Sequence, residues 1–367
     1  MSTLIIFLFV IIVLVVGHEL GHFFVAKIFG VRVEEFGLGY PPRAKKLFTW
    51  RGTLFTLNWL PFGGFVKIFG EDDGGKSADT KSDSFSHQKL WKRLLILVAG
   101  ITANIILAII LYSASFGIGF PGNAQDFPNA HVVSPQQLTI IEVVKDSPAS
   151  LSGLQINDKV VSLTYGTDDV AYTPQNTTEF IQFIQSHSTE TIHIEVLRNG
   201  DDKYYSVTPR PNMFDGKPGI GLGIDQEGTL RMSFFDAIKT GFVYTLNQFI
   251  LIIVSLWGLI VGIFAPHSNA LSQLSGPVGI AKFAGTAYSL GVGSLLSFMA
   301  LISINLAVVN LLPFPALDGG RMILELFASK GKNKISQKIV AFINRIGFLV
   351  LIILMLWITY HDIFHPL

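Results

Sequence analysis

His18, Glu19 and His22 form the run His-Glu-Leu-Gly-His, the residues of this chain best suited to chemistry. On a helix, side chains at i and i+4 lie one above the other, so both imidazoles can turn a ring nitrogen to one metal ion. Glu19, between them, can hold and deprotonate a water at that metal. The motif sits inside the apolar run Leu4 to Ala26. As a helix this run is ~34 Å long at ~1.5 Å per residue, enough to span a bilayer. Ionisable groups at that depth are costly, which favours a functional role. The alternatives are a chance match and a polar cluster that only joins helices.

Cysteine is absent, so there is no disulfide, thiolate ligand or cysteine nucleophile, and a metal must rely on His and carboxylate. A carboxylate is offered by Asn310-Leu-Leu-Pro-Phe-Pro-Ala-Leu-Asp318-Gly-Gly320, at the end of another apolar stretch. Two prolines and two glycines do not continue a regular helix. Irregular backbone at membrane depth is tolerated where it is buried in protein or faces water. Asp318 is therefore well placed to complete a His-His-Asp zinc site with a fourth position left for water. The competing reading makes it a solvated turn residue at a helix end. The remaining histidines, including His87, His131, His187 and His193, have no metal-like spacing and read as surface or interface residues.

These residues need a membrane scaffold, and the composition supplies one. Half of the chain is hydrophobic, 14% is charged and the formal net charge is +1, which fits an integral membrane protein and gives no reason to expect nucleic acid. The first apolar segment has no basic residue before it and no small-residue cleavage site, so it should stay attached. Further spans are expected at Leu94 to Phe116, at Phe298 to Leu312 with its continuation, and at Ile346 to Tyr360. Between Phe120 and Gly228 the composition becomes that of a soluble domain.

Lys and Arg are frequent from Lys27 to Arg93 and from Arg321 to Arg345, but none precedes Lys27 and none lies between Leu94 and Val144. The positive-inside bias puts the two basic loops in the cytoplasm, with the amino terminus and the soluble domain outside. Phe242 to Phe264 is apolar enough to cross, yet one more crossing would carry Asp318 to the wrong face, away from the histidines. It is expected to lie along the outer face or to re-enter as a hairpin, with Gly258 and Gly262 as bend points.

With HELGH at His18 and NLLPFPALDGG at Asn310 stand LSGPVGIAKFAGTA at Leu274, PFGGFVKIFGE at Pro61 and Phe36-Gly-Leu-Gly-Tyr40. Together they resemble the site-2 protease family of intramembrane metalloproteases, from one end of the chain to the other. The resemblance implies zinc bound by His18, His22 and Asp318, Glu19 as catalytic acid/base, and Asn310 as a substrate contact. An intramembrane amide at Asn310 also makes sense unaided, since an unwound substrate backbone needs polar partners; a polar contact between helices is the alternative. Thr53 to Glu71 reads as extended structure with turns at Pro61 and Gly63-Gly64, which the resemblance implies is a membrane-associated β-hairpin loop dipping towards the active site; a plain cytoplasmic hairpin is the alternative. An exposed edge near Gly63 and Gly64 could pair with substrate there.

Ser147-Pro-Ala-Ser-Leu-Ser-Gly-Leu-Gln-Ile-Asn-Asp158 resembles the core of a PDZ domain, with Ser152 and Asn157 in place of the usual Ala and Gly. Asn tolerates a left-handed conformation, so that turn survives. Gly221, Leu222 and Gly223, with Ile224, look like the carboxylate-binding loop, placed as in the circularly permuted bacterial arrangement. Either peptide-end binding or a steric gate against bulky ectodomains fits. Tandem-PDZ members of the family carry two such domains, and this chain has room for one. Ala99-Gly-Ile-Thr-Ala-Asn104 departs from the family's Gly-Pro-x-x-Asn by Ile101, though Gly100 and Asn104 still allow close helix packing.

The expected fold is thus an α-helical polytopic membrane protein of about four transmembrane helices, plus an in-plane or re-entrant segment and an inserted extracytoplasmic PDZ-like α+β domain. Its parts are residues 1–119, a membrane core with β-loop; 120–228, PDZ-like; 229–297, a connector; and 298–367, the rest of the core. The expected activity is zinc endopeptidase cleavage of single-span membrane proteins in the bacterial cytoplasmic membrane. The resemblance implies substrates such as anti-sigma factors already trimmed by another protease, or remnant signal peptides. A scaffold that kept a structural metal would not need Glu19, and a metal transporter should repeat its ligands or spans in two halves.

Overall fold

The computed structural model describes residues 2–71, 82–166, 170–198, 200–214, 216–263, 276–329 and 337–364. Phe264, His267, Leu274, Ser275 and His365, and 330–336 of the second basic stretch, lie outside them. The chain forms two compact units, one of residues 1–115 with 237–367 and one of Phe116–Asp236.

In the first unit, α1 (Ser2–Ile28) is almost purely apolar and carries no proline. A helix satisfies its own amides, which is what lipid demands of a spanning segment. It stops at Gly30, whose φ of 74° ends the helix in a left-handed residue. The chain then folds into β1 (Val33–Trp50) and β2 (Thr53–Ile68). Arg51 and Gly52 both take positive φ, 46° and 76°, the geometry of a tight two-residue hairpin turn. Phe36 pairs with both Phe55 and Val66, so the hairpin doubles back into four antiparallel passes. Their order is 43–50, 53–58, 33–38 and 64–68. Phe48 stacks on Phe55 and Phe55 on Phe36, while Phe23 of α1 sits edge-on to Phe36 and Phe55. This aromatic cluster fixes the sheet against the helix that carries the histidines.

Next comes α2 (Leu90–Ile118), which meets α1 at very close range. A Cβ on Gly21 would collide with the Ala99 carbonyl, and one on Gly17 with Leu107. The unit is completed by α5 (Phe234–Ile263), α6 (Pro277–Ser289), α7 (Val292–Leu311), α8 (Asp318–Ser329) and α9 (Gln337–Phe364). Among the described residues, five helices (α1, α2, α5, α7 and α9) are long and apolar enough to cross a membrane. Ser115 Oγ, near the end of α2, donates to the Gly293 carbonyl at 2.7 Å, and Ser303 Oγ to that of Asn104 at 2.8 Å. The end of α2 and the start of α7 therefore lie at the same end of the bundle. Asp362, buried in α9, accepts from the amides of Gly276 and Gly279 and so caps α6. α5 differs from expectation in one respect: the helix runs unbroken through Gly258 and Gly262, because lipid leaves intact helical hydrogen bonding as the cheapest state. α7 likewise begins at Val292, earlier than Phe298.

The second unit contains β3 (Phe120–Gly122), β4 (His131–Val132), β5 (Gln137–Val143), α3 (Pro148–Ser152), β6 (Lys159–Tyr165) and α4 (Thr177–Ser186). It continues through β7 (Ile192–Arg198), β8 (Asp201–Val207), β9 (Arg210–Phe214), β10 (Lys217–Gly219) and β11 (Leu222–Arg231). The main sheet runs β3-β11-β5-β6-β7-β8, all antiparallel, with β4 also beside β11 and β9–β10 a separate hairpin. Gly228 to Leu230 pair with Phe120 to Gly122, so β11 runs on past Gly228. Ile140, Leu163, Ile192 and Ile194 are fully buried at the centre. Ser147 caps α3 by accepting from the Ser150 amide, with Pro148 following it. Asn157 takes φ 74°, the left-handed turn that its residue type favours.

Asp158, 1% exposed, accepts from the Gln155 amide and is clasped by Arg198 at 2.6 Å. The guanidinium in turn is held further towards its charged form by that carboxylate. Removing one member of a buried pair strands the other. In Arg198→Leu this unit should lose about 3 kcal/mol of stability. Hydrogen exchange of the full-length protein, read on peptides from β5 to β7, should show faster exchange; unchanged protection would contradict the pairing's role.

Candidate metal centre and active site

α1 brings His18 and His22 to one face, as the i, i+4 spacing requires, and α8 brings Asp318 to meet them. His18 Nε2 lies 3.2 Å from His22 Nε2, and Asp318 Oδ2 lies 3.2 Å from the first and 3.3 Å from the second. Four ligands at zinc distances of about 2.0 Å form a tetrahedron with edges of about 3.3 Å. The three atoms therefore mark one face of such a tetrahedron. Asp318 Oδ2 is also buried without a hydrogen-bond donor, an expensive state for a carboxylate oxygen unless a cation faces it. No other group of three His and carboxylate side chains among the described residues converges in this way. The residues fit a zinc ion.

The surroundings explain how the three groups stay in place. His22 Nδ1 is 2.8 Å from the Ile96 carbonyl, so this nitrogen carries the hydrogen and Nε2 keeps its lone pair for a metal. Gly100 of α2 passes directly over the pair: a Cβ there would overlap His22 Nε2 and come within 2.6 Å of His18 Cε1. The chain between α7 and α8 turns sharply, with Ala316 at φ 77° and the Phe314 and Leu317 amides closing tight turns. Gly319 and Gly320 let α8 start against the carbonyls of Leu311, Leu312 and Phe314, which any side chain would block. Asp318 thus stands in the first turn of α8, where exposed amides favour a negative charge. Further along α8, Arg321 pairs with Glu71 at 2.6 Å and Glu325 with Arg93, tying the first two turns of the helix to the end of the sheet and to α2.

Glu19 points to the sheet side of the site. A Cβ on Gly64 would sit 3.6 Å from Glu19 Cγ and 3.3 Å from Val15, so the 64–68 pass skirts the glutamate. Gly63 takes φ 83° under the ring of Tyr40. Asn310 lies in the last turn of α7, half-buried, and its amide makes no hydrogen bond among the described residues. Gly221, Leu222 and Gly223 belong to the second unit, at the start of β11, where Gly221 takes φ 82° close to Ser147. Sequence reasoning gave Asn104 only a packing role, yet its amide Nδ2 lies 3.2 Å from His18 Nδ1. The Gly-x-x-x-Asn spacing from Gly100, one helical turn, was the available signal.

The model of Peptidase family M50 matches residues 6–354. The chain belongs to peptidase family M50. It is 33% identical over 364 residues to a Clostridium perfringens protein named "Putative zinc metalloprotease", with 96% of each chain covered. The Geobacillus kaustophilus zinc metalloprotease RasP is 29% identical, covering 99% of this chain and 98% of its own. The regulator of sigma E protease of Haemophilus influenzae is 28% identical, covering 97% of both. Among solved structures, the PDZ domain of an SdrC-like protein from Listeria innocua matches 24% of this chain and 92% of its own, at 22% identity and a TM-score of 0.20. The protein is accordingly a zinc metalloprotease of the membrane.

The overlap at Gly100 yields a test. Gly100→Ala should push the His22 ring or α2 aside and weaken zinc binding by on the order of tenfold or more, as disturbed ligand orientation does. Gly258→Ala, where a Cβ meets open space, is the matched control. Zinc content of both purified variants under a graded chelator checks this; equal retention would show that the site absorbs the methyl group.

Proposed function

We propose that this M50 peptidase is an intramembrane endopeptidase in which His18, His22 and Asp318 hold the zinc and Glu19 is the acid/base. The observation that carries the reading is the three-atom face, 3.2–3.3 Å on each edge, beside a glutamate on the same helix. Bound zinc would supply polarisation of the scissile carbonyl and would acidify water at the open position. Glu19 takes a proton from the attacking water and passes it to the leaving nitrogen. The substrate helix has to unwind first, since a helical amide is already hydrogen-bonded. The 64–68 pass pairs on one side with 33–38 and, among the described residues, offers its other edge to an extended strand beside Glu19. Gly63 and Gly64 keep that edge flat, and Asn310 supplies a donor and an acceptor to the unwound backbone.

The substrates in this reading are single-span membrane proteins shortened beforehand by another protease, such as anti-sigma factors, or remnant signal peptides. Cleavage falls near the cytoplasmic side of the bacterial inner membrane, with the amino terminus and the second unit outside. That unit acts as a PDZ-like domain whose Gly221–Gly223 loop receives a peptide end or whose bulk screens out large ectodomains. Four helices cross, and α5 does not complete a crossing, because the segment between α2 and α7 starts and finishes at one end of the bundle.

Two experiments test this. Glu19→Gln should keep one zinc per chain but lower cleavage of a co-expressed tagged single-span protein by at least ~10²-fold, since an amide cannot shuttle the proton. Turnover close to wild type would assign the proton transfer elsewhere. In this cysteine-free chain, single cysteines at Arg231 and Ser289 should react with an impermeant thiol reagent from the same, outer side, and one at Ser82 from the inner side. Labelling of Arg231 and Ser289 from opposite sides would overturn the proposed course of α5.

A further inference from the structure

We propose that Asn104 is a positioning residue for the metal centre: its amide oxygen accepts the Nδ1 hydrogen of His18 and so fixes the tautomer and the ring angle of that ligand. The inference rests on the zinc-ligand reading of His18.

His18 turns Nε2 to His22 and Asp318, 3.2 Å from each reference atom. A neutral imidazole that gives the Nε2 lone pair to a metal must carry its hydrogen on Nδ1, and that hydrogen needs an acceptor in a dry site. His22 meets this need with the Ile96 carbonyl. For His18 the group within reach is the Asn104 amide, with Nδ2 at 3.2 Å from Nδ1. Asn104 is fully buried, and its Oδ1 has no hydrogen-bond donor. The two ends of an amide are equal in size, and a half-turn about the last side-chain bond exchanges them. With Oδ1 towards His18, the Nδ1 hydrogen gains its acceptor and the oxygen gains its donor in one step. The backbone holds the amide in register, since the Asn104 carbonyl is pinned by Ser303 Oγ at 2.8 Å. Asn104 is thus held between α1 and α7, four residues along α2 from the glycine that lies over both rings.

The test orders three side chains of similar size at this position. If the role is acceptance, Asn104→Asp keeps zinc at least as tightly as wild type, because a carboxylate is a stronger acceptor for a ligating histidine. Asn104→Leu should bind zinc 10- to 100-fold more weakly, the usual loss when such a partner is removed. A role in packing alone gives the reverse order, because a buried charge harms packing more than an apolar isostere does. Zinc affinity is measured by chelator competition on the purified full chain, and cobalt substitution reads the ligand field independently of cleavage. His18→Ala is measured alongside. If His18→Ala loses zinc while Asn104→Leu binds like wild type, this inference falls and the ligand assignment stands; if His18→Ala keeps stoichiometric zinc, the assignment itself falls. Should Asn104→Leu not fold, histidine-selective ¹⁵N NMR of the zinc-loaded wild type decides: a protonated, hydrogen-bonded Nδ1 on His18 supports the inference, and a protonated Nε2 overturns it.

Discussion

Three largely buried polar groups are pressed to within 3.3 Å of one another, and the rest of the membrane unit holds them there. Two imidazoles and a carboxylate gain little from each other in that arrangement, and the carboxylate oxygen loses its solvation outright. In the proposed reading a shared zinc ion makes the cluster favourable. The glycines follow from this constraint. Gly21 and Gly100 let α1 and α2 close to backbone contact, and Gly319 and Gly320 let α8 begin where the α7–α8 loop leaves no room for a side chain.

The sheet solves the opposite problem. The site must be dry enough to raise the strength of its electrostatics yet open to a peptide backbone. Phe23, Phe36, Phe48 and Phe55 seal one side of the sheet against α1. Buried Thr53, Thr56 and Asn58 spend their hydrogen bonds inside the sheet, on Val33, Glu35 and Gly39. Among the described residues, the outer edge of the 64–68 pass is the one that lies beside the glutamate. The ion pairs of Arg321 with Glu71 and of Arg93 with Glu325 then couple the position of that edge to the helix bearing Asp318.

How much of this was legible depended on the range of the interaction. The helices were, because apolar runs bounded by Gly, Pro and basic residues report local physics. The approach of Asp318 to the two histidines was too, through the absence of cysteine and the Pro- and Gly-rich breakage after α7. The doubled sheet was not: nothing local in the eighteen residues from Val33 to Trp50 says that Phe36 pairs twice. The straightness of α5 was hidden as well, since glycine bends a helix only where a neighbour rewards the bend. Asn104 was visible as part of a motif but not as a partner, because its hydrogen-bond geometry depends on a ring 86 positions away.

The wide spacing of the triad in the chain also dictates a schedule. His18 and His22 emerge early in synthesis, whereas Asp318 follows His22 by 318 − 22 = 296 residues. At translation rates of about 5–20 residues per second that is a delay of roughly 15–60 s. During it the first helix sits in the bilayer with two imidazoles and a glutamate but without the carboxylate that closes the cluster. On the proposed ligand set a two-histidine site is a poor trap for the ion, so loading would wait for nearly the whole polypeptide, and a chain cut short before Asp318 would lack one of the three groups that hold the metal.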